Sequence, residues 1–177
     1  MRYFFTMVVF LLSAFVVRAF DDFDPSFYEE EAGLLFAVQA NPGDGIYGVE
    51  FADGTWLVNT PIFGCLLANA FSNSRDDASH CGVGMIFRIM PHTDFAPFVG
   101  AGLTYNGFFA NDDEETVATD EEDQPKDSFW AGHAEAGIRI WFSGREQFIE
   151  ILARQTWNLD MEDMDYWTGG FGFGQNF

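Results

Sequence analysis

The chain has 177 residues, a length that suits one domain. Its 28 acidic residues face eight basic ones, for a net charge of −20, which argues against a nucleic-acid partner. It carries 22 Phe and five Trp, yet beyond the N-terminal segment no run of about 18 apolar residues could form a transmembrane helix.

Arg2 is followed by an apolar run from Tyr3 to Val17, then Arg18 and Ala19. The run is about 15 residues long, short for a spanning helix. With small or aliphatic residues at Val17 and Ala19, it reads as a signal peptide, residues 1–19, cut before Phe20. The alternative is an N-terminal membrane anchor. Cleavage removes Arg2 and Arg18 and leaves six basic residues against 28 acids, a net charge of −22. Residues 20–31 form an acidic lead-in with Asp21, Asp22, Asp24, Glu29, Glu30 and Glu31.

Strands are then expected in succession. Residues 33–40 (GLLFAVQA) are the first, ended by the turn signal Asn41-Pro42-Gly43-Asp44. Residues 46–59 are the second, with Glu50 on the face opposite Tyr47, Val49 and Phe51. Asp53-Gly54 inside it reads as a bulge or as an extra hairpin turn. Thr60-Pro61 is a short turn, residues 62–71 a third strand and residues 72–80 a polar loop. Residues 82–90 alternate, with Val83, Met85, Phe87 and Ile89 outward and Gly82, Gly84 and Arg88 inward. After a turn at 91–94, residues 95–109 set Val99, Ala101, Leu103 and Tyr105 against Gly100, Gly102, Thr104 and Asn106. Residues 111–127 carry nine acids and one Lys126 without apolar periodicity, and read as a mobile loop.

The stretch from Phe129 to Trp157 reads as a long hairpin. Ala134, Ala136, Ile138, Ile140 and Phe142 alternate with His133, Glu135, Gly137, Arg139 and Trp141. In the second strand Ile149, Ile151, Ala153 and Trp157 alternate with Glu150, Leu152, Arg154 and Thr156. A two-residue, Gly-first turn at Gly144-Arg145 sets Arg139 opposite Glu150 and Glu135 opposite Arg154, so two opposite-charge pairs share one face. Residues 158–167 form a second acidic loop, with Asp160, Glu162, Asp163 and Asp165. Residues 168–177 (TGGFGFGQNF) close the chain, with Gly170, Gly172 and Gly174 on one face and Phe171, Phe173 and Phe177 on the other.

The paired strands of the long hairpin run to about 12–15 residues against a usual ~5–6, long enough for a membrane crossing of about 9–11 tilted residues. The count is eight, an even number, with short connections on one side and mostly long loops on the other. The expected fold is all-β: an eight-stranded antiparallel transmembrane up-and-down β-barrel over residues 32–177. Aromatic residues collect at strand ends, with Phe129, Trp130, Trp157, Tyr166 and Trp167 at one end and Phe95, Phe98, Trp141 and Phe142 at the other. They read as two membrane-interface girdles. A soluble barrel acting as a lipid carrier is the competing fold-level reading.

So small a barrel has little interior room. Gly84, Gly100, Gly102, Gly170, Gly172 and Gly174 are read as making space for Arg88, Arg139, Arg154, Glu50, Glu135 and Glu150. Three arginines and three glutamates balance, as buried charges must. The lumen is therefore expected to be plugged by a salt-bridge network, porin-like in architecture but without a conducting pore. His133 faces Thr156 beside Glu135, a trio that reads either as a lumen hydrogen-bond network or as a nucleophilic constellation. Cys65 and Cys81, the only cysteines, form a disulfide or stay as two thiols. No cofactor or dedicated metal site is indicated. The acidic loops could loosely bridge divalent cations to anionic lipid headgroups.

Phe177, with alternating Phe171 and Phe173 before it, resembles the C-terminal strand of small outer-membrane barrels of the OmpA/OmpX type. Residues 97–105 (PFVGAGLTY) also resemble strands of that superfamily, and Gln175 departs from its alternation. The resemblance implies a bacterial outer-membrane location, outer-membrane lipids as partners, and a barrel-assembly machinery that reads Phe171, Phe173 and Phe177. A weaker resemblance joins residues 128–158 to the lipid A 3-O-deacylase family. Where that family has His-x-Ser-Asn, this chain has Gln155-Thr156-Trp157-Asn158, so the catalytic His and Ser are missing. The reading is a non-enzymatic barrel that displays acidic loops in a structural, adhesive or interaction role. A lipid A-modifying, deacylase-like enzyme is the alternative.

Overall fold

A computed structural model of the chain describes residues 32–57, 60–74, 78–109, 128–160 and 165–177. Eight strands follow one another: β1 Ala32–Asn41, β2 Ile46–Trp56, β3 Ile62–Asn73, β4 Ala78–Ile89, β5 Phe95–Phe109, β6 Ser128–Phe142, β7 Gln147–Asn158 and β8 Tyr166–Asn176. Each pairs antiparallel with the next, and β8 returns to β1 to close the barrel. Closure leaves no sheet edge, so backbone donors and acceptors along the ladders are satisfied without water.

The side-chain period of two decides which residues meet the interior. Leu66, Val83 and Phe171 on the outside are 65%, 64% and 55% exposed, while Arg88, Glu135 and Arg154 inside are 1%, 2% and 1% exposed. The usual soluble arrangement is thus inverted, with apolar side chains out and charges in.

The ladders run further than the sequence suggests at several ends. Residues 72–73 and 78–80, expected in the polar loop at 72–80, belong to β3 and β4, where Ser72 pairs with Ser79 and Phe71 with His80. Tyr166 and Trp167 begin β8 and pair with Thr156 and Gln155. Asp53 and Gly54 form neither bulge nor turn. They pass through in register, Asp53 opposite Leu34 and Leu66, Gly54 opposite Gly33 and Cys65. A Cβ on Gly54 would lie 2.5 Å from the Phe63 ring and 2.9 Å from Cys65 Sγ, so glycine marks a close approach there.

The β6–β7 ladder keeps the expected register but ends at Phe142 opposite Gln147. Ser143–Arg145 form one 3-10 turn, with φ of 68° at Gly144 and 74° at Arg145. Positive φ at both central positions is the type I′ pattern, not the Gly-first type II′ turn expected. Arg145 is held there by its side chain. Its Nε donates to Asp94 Oδ1 at 3.0 Å and its Nη2 to the His92 carbonyl at 3.0 Å, so the turn is tied to the β4–β5 connection.

The expected girdles are half right. Trp130, Trp157, Trp167, Phe95 and Phe142 are exposed on the outer face, but Phe98, Phe129 and Trp141 are buried inside, and Tyr166 turns inward against His80. Their position at strand ends is as expected. Their parity, one residue out of step with Trp130 and Phe142, turns them into the lumen. Cys65 and Cys81 are both free. They stand five residues apart on the β3–β4 ladder, Cys65 at Ile86 and Ala70 at Cys81. That is on the order of 16 Å at about 3.3 Å per residue, beyond the ~7 Å Cα limit for a disulfide. The segments 1–19, 20–31 and 111–127 lie outside the described residues.

Candidate functional site: the lumen

The interior is layered along the barrel axis. At the end that carries Ala32, Phe177 and the turns near 60, 92 and 144, Trp56, Phe63, Met90, Phe98, Trp141 and Phe148 pack into an apolar floor. At the other mouth, His80 is ringed by Phe71, Phe129, Phe108 and Tyr166, with centroids 5.5 to 6.3 Å away. Charged and polar groups fill the space between.

The six charged residues named from the sequence meet as one chain of alternating sign. Arg154 Nη2 donates to Glu50 Oε1 at 2.9 Å and to Glu135 Oε2 at 2.7 Å, and its Nη1 also reaches Glu50 Oε2. Arg88 Nε donates to Glu135 Oε1 at 2.5 Å, and Arg88 Nη1 lies 3.0 Å from Glu150 Oε1. Arg139 Nε donates to Glu150 Oε2 at 2.9 Å. The order is Glu50, Arg154, Glu135, Arg88, Glu150, Arg139. Each inner member touches two opposite charges, and the formal charges cancel.

The two ends are completed differently. Gln39 Nε2 donates to Glu50 Oε2 at 3.2 Å, and Thr168 Oγ1 holds Gln39 Oε1 at 2.8 Å. Among the described residues, Arg139 has one carboxylate only. Its guanidinium carbon lies 4.1, 4.7 and 5.3 Å from the ring centroids of Phe148, Phe63 and Trp141. Aromatic faces attract a cation, more so out of water. Arg88 sits similarly, 4.8 Å from the Phe98 ring.

Above the ion chain lies a neutral hydrogen-bond layer. His133 Nε2 is 2.7 Å from Thr104 Oγ1, and His133 Nδ1 is 3.0 Å from Thr156 Oγ1. Asn106 Nδ2 donates to Thr104 Oγ1 at 3.0 Å. The Thr104 hydroxyl therefore has its hydrogen free for Nε2, and a neutral ring with its proton on Nδ1 satisfies both threonines. His133 reaches neither Glu135 nor an activated hydroxyl, so the contacts are those of a packed network. Gln39, Thr104, Asn106 and Thr168 were not picked out as a group in the sequence, although their strand parity marks each as inward.

Of the inward glycines, Gly100 is the one beside the charges. A Cβ there would lie 3.0 Å from Arg88 Cγ and 3.2 Å from Glu135 Cγ. Gly84 and Gly102 instead adjoin Thr104 and Ile86, Gly170 adjoins Gln39 and Leu152, Gly172 adjoins Leu35, and Gly174 adjoins the Phe148 ring. They make room mainly for uncharged neighbours. Phe171, Phe173 and Phe177 are exposed on the outer face at the end of the chain, as their alternation with Gly170, Gly172 and Gly174 predicts.

The closed antiparallel barrel with an apolar exterior and a side-chain-filled interior is the fold of the small eight-stranded outer-membrane barrels. No protein-family model matches the chain, and no curated protein matches it. Among solved structures it is similar to Neisserial surface protein A, with 11% identity, a TM-score of 0.57, and 84% of this chain and 96% of that one covered. Outer membrane protein OprG from Pseudomonas aeruginosa matches at 12% identity and a TM-score of 0.50, over 84% of this chain and 94% of that one. A de novo designed transmembrane β-barrel matches at 16% identity and 0.50, over 83% and 95%. At these identities the likeness is one of fold.

Proposed function

We propose that the protein is a non-enzymatic barrel of the bacterial outer membrane, exported by a cleaved signal peptide, with a plugged lumen and acidic loops presented outside the cell. The observation that carries this reading is the inversion of the barrel. Bulky apolar side chains cover the outside while six charges neutralise one another at 3.0 Å or less inside. Such an exterior is stable against lipid and costly in water. Such an interior supports a plugged lumen, since an eight-stranded barrel is just wide enough for side chains to fill. The role is structural, adhesive or interactive, with outer-membrane lipids and the barrel-assembly machinery as partners and Phe177, Phe173 and Phe171 as the assembly signal. Divalent cations would bridge the acidic loops to lipid headgroups.

The test is heat-modifiable gel mobility of the mature chain in detergent, together with membrane fractionation and planar-bilayer recording. A fast-running unheated band in the outer-membrane fraction, without steady conductance, is the expected result. A soluble periplasmic protein with no mobility shift would overturn it. The deacylase-like alternative requires an altered lipid A mass profile on overexpression, and the buried contacts of His133 favour the non-enzymatic reading.

A further inference from the structure

The apolar belt of the outer face carries a carboxylate. On β2 the outward residues are Tyr47, Val49, Phe51, Asp53 and Thr55, and Asp53 is exposed. Tyr47 stands at the mouth opposite the short turns, and Asp53 is six residues further along the strand. At about 3.3 Å a residue and a tilt of about 40°, Asp53 lies roughly 15 Å below Tyr47 in a belt about 25 Å tall. Apolar surface continues on every side of it. Leu34 and Leu66 are its cross-strand partners, Phe51 is its outward neighbour on β2, and Leu57, Ile89 and Phe95 are exposed nearer the short-turn end.

We propose that Asp53 docks a membrane-embedded segment of a second protein that presents a Lys or Arg at the same depth. The proposal rests on the membrane reading above and adds to it a lateral partner. A carboxylate that faces hydrocarbon alone is costly, and an ionisable group at this depth calls for a partner. The single methylene of Asp53 is too short to carry it to the interface, as the long stems of Lys and Arg do for their charges. No described residue offers it a hydrogen bond or an ion pair. A basic side chain brought alongside satisfies it through a charge-assisted hydrogen bond.

The described belt of a second copy supplies no such base. Arg88, Arg139 and Arg154 lie inside the barrel on glutamates, and Arg145 lies in the β6–β7 turn on Asp94. Two copies inserted the same way up are related by an axis along the membrane normal, which keeps each residue at its own depth. A contact of two copies at Asp53 would therefore set carboxylate against carboxylate. Access for a different partner is open. The next outward row towards the short-turn end is Ala32, Thr55 and Gly64, small side chains that let a neighbouring backbone come close.

The experiment reconstitutes the mature chain in phosphatidylcholine vesicles with a synthetic membrane-spanning Leu/Ala helix that carries a dansyl group. One version has a Lys about seven residues, or about 10 Å, from one end, and the other has Gln there. Energy transfer from the five Trp of the chain reads the association. The native chain should bind the Lys helix about tenfold more tightly than the Gln helix. Asp53→Asn, which touches nothing in the lumen, should abolish that preference, and Asp53→Glu should keep it. Glu146→Gln, which removes a charge at the turn outside the belt, should leave it unchanged. Equal binding of the two helices, or a preference that survives Asp53→Asn, would overturn the proposal. So would self-association of the native chain that Asp53→Leu abolishes, because the face would then belong to a second copy. If the native chain shows no heat-modifiable band and stays soluble, the membrane reading itself fails, a result separate from a folded barrel that ignores the Lys helix.

Discussion

Arg154 and Glu50 are 104 positions apart in the chain, and inside the barrel the Arg154 guanidinium holds both oxygens of that carboxylate. They sit on β7 and β2, which share no ladder. Only the closure of β8 onto β1 brings them together. The pair also ends the ion chain, so it links its stability to barrel closure.

The position of a charge along that chain predicts the cost of losing it. Glu135 accepts from both Arg88 and Arg154, whereas Glu50 meets Arg154 alone among the arginines. Glu135→Gln should destabilise by about 3–5 kcal/mol, the usual range for stranding buried partners, and Glu50→Gln by less. Denaturant midpoints read from the heat-modifiable band measure both. Equal midpoints would mean that the two carboxylates are not inequivalent links.

Among the described residues, Glu150 is the sole carboxylate of Arg139. Glu150→Gln should therefore leave Arg139 as a buried charge supported only by rings, and adding Arg139→Met should restore part of the loss, because a buried charge costs most when it stands alone. A double variant less stable than Glu150→Gln would argue that the aromatic contacts of Arg139 outweigh its charge.

Two glycines on β5 and β8 make a steric contrast. Gly100→Ala puts a methyl group 3.0 Å from Arg88 Cγ, while at Gly169 the nearest atom, the Ala40 carbonyl oxygen, is 4.0 Å away. Overpacking of this kind costs typically about 1–3 kcal/mol. Gly100→Ala should lower the unfolding midpoint clearly and Gly169→Ala hardly at all.

Arg145 occupies a left-handed position at φ 74°. That conformation costs an L-residue roughly 1–2 kcal/mol, which glycine escapes. Arg145→Ala loses the bonds to Asp94 and His92 and keeps the strain, whereas Arg145→Gly loses both. The glycine variant should be the more stable of the two by about 1 kcal/mol, and hydrogen exchange across residues 143–146 should be faster in both. An alanine variant as stable as the glycine one would rule out strain at this turn.

The two thiols should react as two in the unfolded chain without reductant, since both are free and stand on opposite faces of β3 and β4. A titration that finds none would require a rearranged β3–β4 ladder.

What the sequence by itself determined were the local properties. Strand parity is a matter of single residues, so the inward placement of Arg88, Glu135, Arg139, Glu150 and Arg154 and the outward placement of Val83, Phe171 and Phe173 could be read directly. Adjacent pairings across the β6–β7 hairpin, Arg139 with Glu150 and Glu135 with Arg154, follow from one turn position and were equally legible. Where local position was weighed above parity, at Phe98, Phe129 and Trp141, the side chains belong to the lumen instead of the girdle. The tertiary structure alone decided contacts across the lumen: Arg154 with Glu50 and Arg88 with Glu150. Their distances depend on closure and on the stagger between strands far apart in sequence, quantities that no single strand encodes.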